Sequence, residues 1–250
     1  MQQQAIEEAV ALLVAARRSG EWLERLPDQA KPADLAQAHA VQDATVTALG
    51  DTVAGWKVSV GSSGVMRGVI LRSCLLDSPA TLPAKQVPLL GIEMEIAFRF
   101  ERDLPPREQD YTYAEVTEAV TALAGIEIVA SRFHSYKDTP LLDRAADCMS
   151  NGAFVVGTLR PDWRGFALAE LEATLAINGE VIIRKRGEHP AGDPLLPAIA
   201  LVNVLRATSG VKAGQIITTG TCTGLHFGQP GDRVTGHFPG FGTAEIDLPA

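Results

Sequence analysis

Apolar residues at Ala5, Val10, Leu13 and Val14 recur at helical spacing until Gly20 stops the run, and the spacing predicts a first amphipathic helix. Pro32-Ala33-Asp34 opens a second, which runs through Val41, Val46 and Leu49 to Gly50. From Thr52 the texture changes to short β-rich runs separated by Gly and Pro: 53–60, 69–71, 89–100, 154–156, 171–177, 181–186, 215–219, 233–237 and 243–248. Two further helices interrupt them, Tyr113–Leu123 introduced by Thr112, and Pro194–Thr208 with its proline in the first turn. Asn178-Gly179 between apolar runs predicts a hairpin, and Pro230-Gly231-Asp232 a second tight reversal.

Strands without regular βαβ alternation predict an α+β fold with a largely antiparallel or mixed sheet, rolled or sandwiched. The expected division is a helical N-terminal segment, 1–51, followed by a β-rich domain, 52–250. No phosphate-binding glycine motif follows a strand, and no internal repeat is visible.

The chain has 250 residues, 46% hydrophobic and 21% charged, which excludes disorder, collagen and coiled coil. A net charge of −8 repels phosphate backbones and anionic membranes, so neither nucleic acid nor a membrane is an expected partner. At the N-terminus Glu7 and Glu8 precede the apolar run and Arg17 and Arg18 follow it, the reverse of a signal peptide's order. Cys74, Cys148 and Cys222 lie far apart in sequence, which argues against a disulfide framework and for a reducing, cytoplasmic setting.

Gly91-Ile92-Glu93-Met94-Glu95-Ile96 places Glu93 and Glu95 on one face of a strand and the apolar residues on the other. Glu127, inside Ile126-Glu127-Ile128-Val129, is a third acid in an apolar run. Either these acids face water, or they converge on a hard divalent cation such as Mg²⁺ or Mn²⁺. Lys57 in Gly55-Trp56-Lys57-Val58 is a surface lysine covering Trp56 or a side chain entering a cavity. Arg132 is a surface charge or an anion clamp. Gly220-Thr221-Cys222-Thr223-Gly224 is a plain turn or a carboxylate cradle. Cys222 with His226 lacks an orienting third group, and the histidines show no HxxxH spacing.

Taken in order, Gly55-Trp-Lys-Val, Gly91-Ile-Glu-Met-Glu-Ile-Ala, Arg102-Asp-Leu-Pro, Ile126-Glu-Ile-Val-Ala-Ser-Arg, Ala146-Asp-Cys-Met-Ser-Asn-Gly, the Gly-Asp-Pro-Leu helix start and Thr219-Gly-Thr resemble the 2-oxopent-4-enoate hydratase / 4-oxalocrotonate decarboxylase family of the fumarylacetoacetate hydrolase superfamily. The resemblance covers about residues 30–248. It implies that superfamily's mixed β-roll, with Glu93, Glu95 and Glu127 as ligands of Mg²⁺ or Mn²⁺. It implies Lys57 and Ser150 as catalytic residues, and Arg132 and Thr221 as substrate-binding residues. The implied reaction is hydration of a 2-hydroxy-2,4-dienoate to a 4-hydroxy-2-oxo acid in aromatic catabolism, with decarboxylation of a 2-oxo diacid as the alternative and a weakly catalytic binding subunit as a third reading. A homo-oligomer, associated with a sister enzyme of the pathway, is expected. A metal neighbour and partial burial are expected to lower the Lys57 pKa. Three positions depart from the family pattern: Ser73 where an acid is usual, Cys148 for asparagine, and Asp193 for histidine in Gly-His-Pro-Leu.

Overall fold

The computed structural model describes residues 1–62 and 64–250. Its helices are α1 (Gln3–Ser19), α2 (Leu35–Leu49), α3 (Tyr113–Ala119), α4 (Leu141–Ala146) and α5 (Leu195–Leu205). Its strands are β1 (Val53–Gly61), β2 (Gly64–Leu71), β3 (Leu75–Asp77), β4 (Ala80–Thr81), β5 (Gly91–Phe100), β6 (Val120–Val129), β7 (Asn151–Arg160), β8 (Glu172–Ile177), β9 (Glu180–Arg186), β10 (Ile216–Thr221), β11 (His226–Phe227), β12 (Arg233–Phe238) and β13 (Gly242–Asp247).

They form two sheets. The first runs β2-β1-β10-β5-β6-β7-β3, with β11 added to the end of β5; the second runs β4-β13-β12-β8-β9. Both mix parallel with antiparallel pairs: β1 with β10, β3 with β7 and β4 with β13 are parallel. The α+β expectation holds.

Strand alternation sorts the first sheet into two faces. Ile92, Met94, Ile96, Ile126 and Ile128 point outward into the main core, which they share with Val234, Phe238, Ala244 and Ile246 of the second sheet. The sheets approach so closely there that a Cβ on Gly236 would lie 2.2 Å from Met94 Sδ. The other face is rolled inward. At its closed end Ile70, Ala97, Leu123, Phe154 and Ile216 form a small core of their own. Gly125 is required at this point, because the Phe154 ring occupies the space its Cβ would take, at 2.2 Å. Further along the same face, β5 and β6 carry their acids.

The N-terminal helices close one flank. Ala9, Leu13, Ala38 and Val41 pack with Phe133 and with Ala145 and Ala146 of α4, and Gln42 Nε2 donates to the Ala145 carbonyl at 2.6 Å. Asp34 caps α2 by accepting the Gln37 N–H, and Gly20 and Gly50 end α1 and α2 in the left-handed conformation.

One expected element is corrected. The helix read as Tyr113–Leu123 has its capping box at Thr112 and Glu115, but it ends at Ala119, and Val120 starts a strand whose ten residues are all buried. An apolar run buried on both faces cannot be told from a helix by periodicity. The Asn178-Gly179 hairpin forms as expected, with φ of 52° and 85° at its two residues.

Candidate metal and substrate site

The β5–β6 ladder sets Glu93 opposite Glu127, and Glu95 lies two residues along on the same face. One carboxylate oxygen from each of the three acids lies within 4.8 Å of the others. Glu95 and Glu127 are buried, at 2% and 1% exposure, and Glu93 is half-buried. Three hard oxygen donors brought together out of water are a donor set that fits a divalent cation. Their electrostatics point the same way. Burial and the charge of Glu127 push the Glu93 carboxyl up to about 7, and burial followed by the charges of Glu127 and Glu93 pushes Glu95 well above the usual carboxylate range.

Lys57 arrives from β1. That strand lies next but one to β5, and its Nζ bonds Glu127 Oε1. At 9% exposure it is a buried cation, not a surface lysine covering Trp56. Burial works against its ammonium, but among the protein's own charges Glu127 and then Glu93 hold the pKa above the ordinary lysine value. Gly68, its neighbour on β2, has no room for a Cβ, which would meet Lys57 Cγ at 2.8 Å and the Cys148 carbonyl at 2.4 Å.

β10 lies between β1 and β5 and supplies the donors. Thr218 Oγ1 bonds Glu95 Oε2, and the Gly220 N–H donates to the same oxygen at 3.1 Å. Thr221 lines the cavity, but its Oγ1 accepts the N–H groups of Thr223 (3.2 Å) and Gly224 (2.9 Å), so the Gly220–Gly224 turn is built around it. The cavity over these residues has a volume of about 300 Å³ and is walled by Met66, Tyr136, Leu141, Arg144 and Met149.

Three sequence-based placements are corrected. Arg132 is not in this cavity. Its Nε bonds both Asp147 oxygens at 2.7 and 2.9 Å, and its remaining N–H groups reach the Asn151 and Asp147 carbonyls, so the guanidinium is spent inside the fold. It borders a separate cavity of about 590 Å³ beside Arg17. Ser150 is buried with no partner for its hydroxyl, and from its segment it is Met149 that lines the site. Cys148, Met149 and Ser150 all adopt left-handed backbone, with φ of 51°, 52° and 57°, a conformation that costs non-glycine residues and that the tight join between α4 and β7 imposes. Ser73 is remote from Lys57 and donates to Asp51 Oδ2 at 2.6 Å; the β2 residue lining the cavity is Met66, so β2 brings no acid to the site. Cys222 is an inert buried thiol, its pKa pushed up to about 12 by burial and by Glu95.

Thr218 and Arg144 were missed by sequence reasoning. The first carried a usable signal, a polar residue on the inner face of an apolar strand; the second sits on a six-residue helix too short for any periodicity.

Comparison with known proteins fits this geometry. The chain is similar to a 2-keto-4-pentenoate hydratase from Paraburkholderia phymatum, 28% identical over 257 residues and 97% of each chain. It is similar to a 2-hydroxyhexa-2,4-dienoate hydratase from Comamonas testosteroni, 29% identical over 214 residues and 80% of each. In fold it matches the 4-oxalocrotonate decarboxylase from Pseudomonas putida G7, solved with magnesium and adipate, with a TM-score of 0.86 at 19% identity over 99% of this chain and 98% of that one. The family model for the fumarylacetoacetate (FAA) hydrolase C-terminal region matches residues 65–248, a span that holds all three acids, and the chain belongs to that family.

Proposed function

We propose that this protein is a divalent-metal-dependent hydratase that adds water to a 2-hydroxy-2,4-dienoate, giving a 4-hydroxy-2-oxo acid. The observation that carries the reading is the convergence of Glu93, Glu95 and Glu127 beside the buried Lys57. Relatives named as hydratases of this substrate type support it. Glu93, Glu95 and Glu127 would hold Mg²⁺ or Mn²⁺, which when bound supplies Lewis-acid stabilisation for negative charge at the 2-oxygen of a chelated 2-oxo acid.

The chain's own residues account for the rest. Lys57, an ammonium anchored on Glu127, delivers a proton to C5 and is re-protonated by the O–H proton that the dienol gives up, leaving a 2-oxo-3-enoate. Water oxygen then adds at C4 and C3 takes up a proton, so the balance is substrate plus one water. Thr218 and the Gly220 N–H orient Glu95. With its acceptor side filled by two backbone N–H groups, Thr221 turns its O–H to a substrate carboxylate.

The test is a panel of 2-hydroxydienoates with and without a second carboxylate, assayed with Mg²⁺ or Mn²⁺. Loss of dienol absorbance with formation of the 4-hydroxy-2-oxo acid, abolished by chelator, is expected. Release of CO₂ from 2-oxohex-3-enedioate without hydration would replace the reading by a decarboxylase, and metal binding without turnover would replace it by a binding subunit.

A further inference from the structure

Two cations border the site cavity from different sides, Lys57 from the sheet and Arg144 from α4. Lys57 is engaged with Glu127. Among the described residues Arg144 has no ion-pair partner and no side-chain hydrogen bond. Its Nε is buried with nothing to bond, and its guanidinium carbon lies 5.5 Å from the centre of the Tyr136 ring. A buried N–H without an acceptor is costly, and for Arg144, which lines the cavity, a partner can come from the cavity's contents.

We propose that Arg144 determines the specificity of this site by binding a carboxylate at the end of the substrate remote from the 2-oxo acid, so that the preferred substrates are dicarboxylates. The inference rests on the metal-dependent reading above, which sets the 2-oxo acid end at Glu93, Glu95 and Glu127. Leu141, Met149 and Met66 wall the cavity with apolar surface suited to the carbon chain between the two acid groups. A guanidinium matches a planar carboxylate with two parallel N–H···O bonds, which a methyl or vinyl terminus cannot use. A basic residue in the last turn of a helix also suits the helix dipole. That role needs neither a cavity wall nor an unpartnered buried Nε.

The test is calorimetric titration of the full chain, with Mg²⁺ present, against 2-oxoadipate and 2-oxohexanoate, which match in length and differ in the distal carboxylate. Wild type is expected to bind 2-oxoadipate at least tenfold more tightly, the scale of one charged hydrogen-bonded pair. Arg144→Gln should bring the ratio close to one, and Arg144→Lys should keep an intermediate value, with unchanged melting temperatures showing that both variants fold. Equal affinities in wild type, a wild-type ratio retained in Arg144→Gln, or a lysine variant no better than glutamine would each overturn the proposal. Failure of both ligands to bind wild type would instead overturn the metal-dependent 2-oxo acid reading, and this inference with it.

Discussion

Glu93 and Glu127 stand directly opposite each other across the β5–β6 ladder, a pairing of like charges that an antiparallel sheet ordinarily avoids. With Glu95 buried next to them, the cluster holds more negative charge than Lys57 alone can balance. Glu93→Gln should therefore act in opposite directions on two measurements. Mg²⁺ affinity by calorimetry should fall by more than the ~10–100-fold typical of losing an outer-shell partner. The melting temperature in chelator should rise, because a repulsive buried charge has gone. A variant that binds Mg²⁺ as wild type does would remove Glu93 from the site.

Lys57 carries a structural duty as well as a chemical one. Lys57→Met removes the positioned proton carrier, and turnover should drop by roughly 10²-fold or more. It also strands Glu127 at 1% exposure, so in chelator the protein should lose on the order of 3–5 kcal/mol, as broken buried pairs do. Mg²⁺ should restore much of that loss. Urea melts with and without the ion check this, and an unchanged rate would exclude Lys57 from the mechanism.

Asp147 lies between two arginines, with Arg17 at 3.1 Å and Arg132 at 2.7 Å, its own side chain fully enclosed. Asp147→Asn leaves two buried cations facing each other and should cost about 3–5 kcal/mol in urea denaturation. A loss below about 0.5 kcal/mol, the surface scale, would show that this cluster is not a structural clamp.

His39 offers a pH test away from the acids. Burial, then the charge of Arg67, pushes its pKa from 6.5 down to about 4 in the fold, and its Nε2 accepts the Arg67 N–H at 3.3 Å. Between those two values the unfolded chain binds the proton and the native state does not. The contribution is therefore complete above pH 6.5 and is lost as pH falls toward 4. Between about pH 7.5 and about pH 5 the urea midpoint of His39→Gln should fall less than that of wild type. Equal falls would assign the acid sensitivity elsewhere.

β9 is an edge strand with Val181 and Ile182 exposed at 50% and 41%. Bare apolar edges invite pairing and are usually covered. We expect copies of the chain to associate, which sedimentation at micromolar concentration checks against the 26.6 kDa monomer mass.

Much of this protein is local and therefore readable in one dimension. Period-two alternation through Ile92–Ile96 already placed Glu93 and Glu95 on one face, and capping signals at Asp34, Gly50 and Thr112 marked helix ends, because each depends on residues within one turn. The pairing of Glu93 with Glu127 depends on ladder register across thirty-odd residues, which alternation does not specify; only an ordered set of motifs suggested it. What the tertiary structure alone decided is where each charge finds its partner. Arg132 met Asp147 inside the fold and not a ligand, Lys57 met Glu127, and Arg144, in a segment with no periodic signal, was left facing the cavity without an acceptor. The worth of a buried charge is set by the groups packed around it, and those neighbours come from distant stretches of chain that meet only when the sheet rolls.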